Sequence, residues 1–376
     1  MIYLDHAATT PVIPAALEAA WPYLNGDFGN PSSSHELGHR ASVALEDARA
    51  RVARTLGARA SEVVFTSGGT EGDNAAIVGL ALANPRGKHI ISARTEHEAV
   101  LATLDYLERV HDFDITWLPV NRAGEIALAD LQSALRSDTT LVTLMLANNE
   151  IGTIHPVAEV ATRAHEVGAL VHTDAVQAVG WLPVNFAELG VDALTISGHK
   201  IGAPKGSGAL IVRGGLQFEA LLHGGGQEHE RRSGTENVAW AVALATPVER
   251  AVSIRPAGYS TSEVLITGIL QGVPSAQLTG PEANRHPGIC SFVFPGINGE
   301  TLLLELEQRG VIVSSGAACA AGKDEPSHVL LACGYDEDLA RTSVRFSLGH
   351  TTTRDEIERT VRAIIESHAA VSALGA

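Results

Sequence analysis

Cysteine is scarce in this chain: three among 376 residues, at positions 290, 319 and 333. An odd number at uneven spacing does not build a disulfide framework, and a reducing cytoplasm is the expected compartment. No C-x-x-C pair occurs, which argues against a zinc site. Only four lysines are present, at 88, 200, 205 and 323, so chemistry that needs an amine has few candidates. Positive charge as a whole is in deficit, with 27 Lys and Arg against 43 Asp and Glu for a formal charge of −16. That balance disfavours nucleic acid as a partner, because phosphate binding gathers basic residues on one face. No apolar run reaches the roughly 20 residues of a membrane span. MIYLDHAATTPV has neither the basic nor the apolar region of a secretion signal. The P-loop pattern is missing, as are repeats, low-complexity tracts and heptads.

The chain is long enough to exceed the ~250–300 residues at which one core stops growing, so two domains are expected. It is 45% hydrophobic and 19% charged, as compact proteins are. Short apolar runs alternate with helical patterns over the first two thirds. EVVFT (62–66), HIISA (89–93), DITWLP (114–119), LVTLML (141–146), ALVHTD (169–174), ALTIS (193–197) and GALIV (208–212) read as strands. Such runs without clean alternation predict a mostly parallel sheet covered by helices on both faces. From about residue 247 the pattern changes. Pro247, Pro256 and Gly258 are expected to interrupt helix, and ICSFVF, VIVSS, SVRFSL and a final helix from Arg354 to Ala373 suggest a smaller α+β domain.

In parallel sheets ligands bind beyond the carboxyl ends of the strands. FTSGGTEGDN (65–74) follows the first strand there and opens a helix. Its glycines, Thr70 and the free N–H groups of the new helix make a plausible phosphate cradle; an ordinary glycine turn is the plainer reading. ALVHTDAVQ ends a strand on Asp174, which needs a donor or cation. That partner is the next helix, a salt bridge or a protonated heterocycle, and Gln177 lies one turn on. TISGHKIGAPKG sets Lys200 just past the next strand, where most lysines are simply solvated. Taken together, a phosphate cradle, a carboxylate for a ring nitrogen and a rim lysine are what pyridoxal phosphate requires, the lysine forming the Schiff base.

With these residues in place, the chain resembles the cysteine desulfurases of the class V aminotransferase group, which have the PLP fold-type-I architecture. The segments that carry the resemblance run nearly end to end: YLDHAATTP (3–11), GNPSSSH (29–35), FTSGGTEGDN (65–74), TEHEAV (95–100), NNEIG (148–152), HTDAVQ (172–177), SGHKIGAPKG (197–206), GGGQEHERRSGTEN (224–237), SSGAACAAG (314–322) and SVRFSLG (343–349). The resemblance implies an α/β fold: a large PLP-binding domain over 11–247 with a seven-stranded sheet, and a small domain from 1–10 and 248–376 carrying the nucleophile loop. It implies that Lys200 bonds the cofactor, Asp174 faces its ring nitrogen and Gln177 lies near its phenolic oxygen. Gly69, Thr70, Ser197 and His199 match the phosphate set, and Asn149 a cofactor contact. His97 matches the histidine over the ring that shuttles protons. Asn30 and Arg345 match holders of the substrate carboxylate. Thr235 matches a residue that reaches the other subunit's phosphate, which implies a homodimer. Cys319 matches the nucleophile. Without the resemblance, His97 reads as a solvated histidine, Arg345 as half of an ion pair and Asn30 as a turn residue.

The implied reaction takes sulfur from L-cysteine onto Cys319 as a persulfide, releases L-alanine and passes the sulfur to an acceptor, such as an iron–sulfur scaffold or a tRNA-thiolation pathway. A free thiol near pKa ~8.5 is only a few per cent thiolate at neutrality, so either the thiol is tuned or the substrate's proton goes elsewhere. Small residues around Cys319 suit an arm that must reach both ring and acceptor. Several positions depart from the pattern. Ala317 and Ala320 replace hydroxyls beside the nucleophile, Gly72 replaces a serine, the 247–262 segment lacks a charged helix, and the short tail after Leu374 leaves no partner-docking extension to be expected. Alternatives are a selenocysteine lyase or another PLP-dependent lyase, a metal site at Cys319, His328 and Cys333, and a scaffold that delivers no sulfur.

Overall fold

The computed structural model describes residues 1–84, 86–253, 258–315 and 325–374. Cys319, Ala317 and Ala320 lie outside the described residues. The chain begins with β1 (Ile2–Tyr3), α1 (Pro14–Asn25) and α2 (Glu36–Thr55). Strands and helices then alternate: β2 (Val63–Thr66), α3 (Gly69–Ala83), β3 (His89–Ala93), α4 (Glu98–His111), β4 (Asp114–Leu118), α5 (Leu128–Ala134), β5 (Thr139–Thr143), α6 (Val157–Glu166), β6 (Leu170–Asp174), α7 (Phe186–Leu189), β7 (Ala193–Ser197) and β8 (Gly208–Val212).

Strands β2 to β8 form one seven-stranded sheet in the order β2-β8-β7-β6-β5-β3-β4. Only β8 runs antiparallel to its neighbours. Its strands read as unbroken apolar runs because both faces are buried. Val63, Ile91, Val142 and Ile211 pack with α2 and α6 on one face, while the adjacent Val64, Ile90, Leu141 and Leu210 pack with α3 and α4 on the other. Period-two geometry sends consecutive side chains to opposite cores.

The remaining elements are α8 (Val238–Ser253), α9 (Gly258–Gly272), β9 (Gln277–Leu278), β10 (Ile289–Val293), α10 (Gly299–Gln308), β11 (Val311–Ile312), α11 (His328–Ala332), α12 (Glu337–Ala340), β12 (Ser343–Ser347) and α13 (Arg354–Leu374). β10 pairs antiparallel with β12 and β9. Phe292, Phe294, Leu302, Phe346 and Ile364 form a separate core that Ile2 and Leu4 join from the chain start. Those two residues arrive because β1 pairs with β11 and Asp5 bridges to Ser347.

Pro247 does not interrupt helix, contrary to its expected effect: α8 continues through it to Ser253. A proline inside a helix forfeits one backbone bond and costs about 3 kcal/mol. Burial of Ala243, Leu244, Ala245 and Val248 offsets that here, as α8 packs on α1 and α2. Gly258 opens α9, and Pro256 lies outside the described residues. The expected strand over 141–146 is placed earlier, at Thr139–Thr143. The Leu144 and Leu146 N–H groups still donate to His172 and Asp174 carbonyls, which holds the following loop at the sheet's rim. In VIVSS only Val311 and Ile312 are strand.

Candidate active site

The carboxyl ends of β2, β7, β6, β5 and β3 converge on one cavity of about 270 Å³. Gly69, Thr70, His97, Asn149, Asp174, Gln177, Ser197, His199, Lys200 and Arg345 all line it. Asp174 ends β6 and Lys200 follows β7, the neighbouring strand, so one strand step separates them as the spacing implied.

The phosphate cradle depends on a close backbone approach. Gly208, at the start of β8, pairs with Thr66 on one side and Ser197 on the other. A Cβ on Gly208 would lie 2.7 Å from the Gly68 Cα and 2.9 Å from the Ile196 carbonyl oxygen. Without it, the β2 turn folds over towards Ser197. Gly68 has φ +153°, a conformation open to glycine, and α3 begins one residue later. The Ser197 hydroxyl is buried there and has no hydrogen-bond partner. An orphaned buried hydroxyl beside a helix N-terminus is the polar deficit that an anion's oxygens would satisfy.

Asp174 is 7% exposed. Its Oδ1 accepts the Val176 N–H at 2.7 Å. Burial raises its acid group to about 6, against the lowering effects of the Val176 N–H and Lys200. Among the described residues it forms no ion pair of salt-bridge length, so a protonated ring nitrogen would supply the missing cation. Behind it, burial and the nearby Asp174 charge hold Asp73 well above the carboxylate range, although Thr195 hydrogen-bonds it. His172 sits 3.6 Å from Asp73, with its ring nitrogens on Thr143 Oγ1 at 2.9 Å and Thr195 Oγ1 at 3.0 Å. Burial lowers His172 to about 3, so its ring stays neutral beside Asp73. Gly72 makes the arrangement fit: a Cβ there would meet Thr195 Cγ2 at 2.6 Å. The serine expected at 72 is therefore excluded while Thr195 stands on His172.

Lys200 Nζ donates to the carbonyls of Ala7 at 2.5 Å and Ala8 at 2.9 Å. Gln177 Nε2 shares the Ala7 carbonyl at 3.0 Å. His199 Nδ1 faces Thr9 Oγ1 at 3.2 Å, and burial, then Lys200, lowers its ring to about 4. Residues 7–9 thus organise three site residues, a role that YLDHAATTP alone did not assign. Backbone carbonyls leave no residue-type signal in a sequence.

His97 caps α4, its Nδ1 accepting the Ala99 N–H at 3.1 Å. An accepting Nδ1 puts the neutral ring's proton on Nε2. Burial, then the Lys200 charge, lowers its pKa, which favours the neutral ring. Arg345, 1% exposed, donates from Nη1 to the Asn149 carbonyl at 3.0 Å and from Nη2 to Asp5 Oδ1 at 2.9 Å. Its buried Nε has no partner, so this nitrogen is open to a carboxylate.

Two expected residues are not brought in. Asn30 is exposed, and its Oδ1 accepts the Ser32 N–H. Thr235 is exposed and lines a different, polar cavity with Ser67, Glu228 and Arg232. The other two cysteines are buried thiols. Burial raises Cys290 to about 11 and Cys333 to about 12, so neither is a nucleophile near neutrality.

A model of the family described as aminotransferase class-V matches residues 2–360. The cysteine desulfurase IscS of Dictyoglomus turgidum is 45% identical over 365 residues, covering 96% of this chain and 92% of that protein. The cysteine desulfurase IscS of Methanosarcina thermophila is 43% identical over 370 residues, covering 97% and 91%. Among solved structures, a NifS-like protein superposes with a TM-score of 0.90 at 35% identity, over 98% of this chain and 99% of that one. A NifS-like protein from Rickettsia africae gives a TM-score of 0.87 at 32% identity, over 98% and 99%.

Proposed function

The chain belongs to the aminotransferase class-V family and, within it, to the cysteine desulfurases, and from that premise we propose how its own residues carry out the reaction. It is a pyridoxal 5′-phosphate-dependent enzyme that takes sulfur from L-cysteine. The observation that carries the residue assignment is the single rim on which Lys200, Asp174 and the orphaned Ser197 hydroxyl stand together.

Ser197, Gly69, Thr70 and His199 would hold the phosphate, Asp174 the ring nitrogen, Gln177 the phenolic oxygen and Asn149 a further edge. Bound pyridoxal phosphate supplies a covalent handle for the amine and a sink for electrons released at the substrate's α-carbon. Lys200 Nζ would hold the cofactor covalently, and the Ala7 and Ala8 carbonyls stand ready to accept from the free ammonium. Lys200 or His97 Nε2 moves the α-proton. Arg345 binds the substrate carboxylate, and Asn30, outside the cavity of the single chain, would join it only by moving in. Cys319 Sγ attacks the substrate's sulfur: an S–S bond forms and the C–S bond breaks. Its electron pair remains on the β-carbon, which takes a proton, and L-alanine leaves. Cys319 then carries a persulfide.

A homodimer in which Thr235 reaches the partner's phosphate is part of the proposal. So are a cytoplasmic location and transfer of the sulfur to an iron–sulfur scaffold or a tRNA-thiolation pathway. No helix among the described residues is long and apolar enough to cross a membrane. The two separate cores support the division of 11–247 from 1–10 with 248–376, α8 spanning its boundary.

The test is turnover of L-cysteine against L-selenocysteine, with alanine counted. Desulfurisation predicts one alanine per sulfur released from L-cysteine. Alanine formed from selenocysteine alone would establish a selenocysteine lyase instead. The phosphate assignment has its own readout. Ser197→Ala is expected to weaken cofactor uptake by the apoprotein by about 10- to 100-fold, the value of a hydrogen bond to a charged group. Titrating cofactor absorbance measures it, and unchanged uptake would remove Ser197 from the cradle.

A further inference from the structure

We propose that Glu150, Ser327 and His328 are positioning residues that fasten the segment carrying Cys319 to the site, and that they act on sulfur transfer rather than on cofactor binding; this rests on Cys319 being the nucleophile. Ser315 and Glu325 bracket the segment that carries Cys319. On the near side, Ser314 and Arg345 exchange backbone hydrogen bonds at 3.2 and 2.7 Å. On the far side, Ser327 is 1% exposed. Its Oγ donates to Glu150 Oε2 at 2.5 Å and accepts the Leu330 N–H at 3.1 Å. His328 Nε2 donates to the Glu96 carbonyl at 2.9 Å, and its Nδ1 lies 3.5 Å from Glu98 Oε1.

These fastenings converge on residues already placed in the site. Glu96 and Glu98 flank His97. Glu150 follows Asn149, whose carbonyl receives Arg345 Nη1. Asn148 stiffens that loop: its Oδ1 accepts the Glu150 and Ile151 N–H groups, each at 2.9 Å, and its Nδ2 donates to the Thr95 carbonyl. Helix α11 has only five residues, too few to hold its place through its own bonds. Side-chain anchors must therefore set where α11 sits. Glu150 is a carboxyl that burial raises, and burying it is unfavourable unless its hydrogen bond is kept. The anchors thus tie the residues on either side of the segment to the elements that hold substrate and proton-transfer groups.

The experiment uses the cofactor-loaded enzyme and two readouts: the L-cysteine-induced change in cofactor absorbance, and persulfide trapped on the protein by alkylation and mass measurement. A misplacement near 1 Å costs on the order of 10²-fold, so Ser327→Ala should slow persulfide formation by that factor while the absorbance change stays within about twofold. Ser327→Thr, which keeps the hydroxyl, should restore the rate. His328→Phe, which keeps a ring and drops the Nε2 donor, should show the same split. Equal slowing of both readouts would mark a general structural defect and overturn the proposal, as would no slowing in either. A Cys319→Ala control that still yields protein-bound persulfide would sink the nucleophile reading, and this inference with it.

Discussion

Cys319→Ala is expected to lower alanine and sulfide release from L-cysteine by on the order of 10³-fold or more, as removal of a covalent nucleophile does. Cofactor loading and the L-cysteine-induced absorbance change should persist. The two effects separate because everything that binds cofactor and substrate lies elsewhere: Lys200, Asp174, Ser197 and Arg345 all stand on the described rim. Neither remaining thiol can substitute, since burial holds Cys290 near 11 and Cys333 near 12. Full sulfide release by the variant would mean that sulfur leaves without a protein nucleophile. Loss of the absorbance change as well would place Cys319 in binding rather than in transfer.

Lys200→Ala has the second large effect. Turnover should fall by on the order of 10²–10⁴-fold, the range for a positioned proton-transfer group, and the protein should hold its cofactor without a covalent bond. Borohydride reduction followed by mass measurement reads this directly. Wild type should be trapped with cofactor on Lys200, and the variant should carry no cofactor after denaturation. Lys205 is the nearest other amine in sequence, and a trapped cofactor there would reassign the site. The same variant frees the Ala7 and Ala8 carbonyls, which accept from Nζ at 2.5 and 2.9 Å in the wild type. Added small amines should therefore restore part of the activity, because the pocket keeps the acceptors that held the ammonium.

Much of the site was legible in sequence because fold type and strand-end chemistry are local. Asp174 and Lys200 could be placed on one rim from their strands and their separation of 26 positions. His97 and Arg345 were not distinctive as residues; only the resemblance singled them out, and folding then brought both to the cavity. Asn30 and Thr235 came from the resemblance as well, and within one chain they stay exposed and outside that cavity. The misjudged Pro247 shows the limit of local rules. Its penalty is a property of the helix, whereas its tolerance is a property of the buried face against α1 and α2.

Order along the chain was enough for the mostly parallel sheet, the rim, the chemistry open to its few amines and thiols, and the family. Apolar runs, glycine turns and rare residues are facts of order along the chain. Tertiary structure alone decided which groups are left wanting. The Ser197 hydroxyl lacks a partner because Gly208 lets the β2 turn close over it. Lys200 is received by carbonyls almost two hundred residues away because Asp5 bridges to Ser347 and carries residues 7 and 8 to the rim. Arg345 keeps its Nε unpaired while Nη1 and Nη2 are engaged by the Asn149 carbonyl and Asp5. Hydrogen-bond satisfaction is settled by neighbours in space, and no pattern along the chain records who those neighbours are.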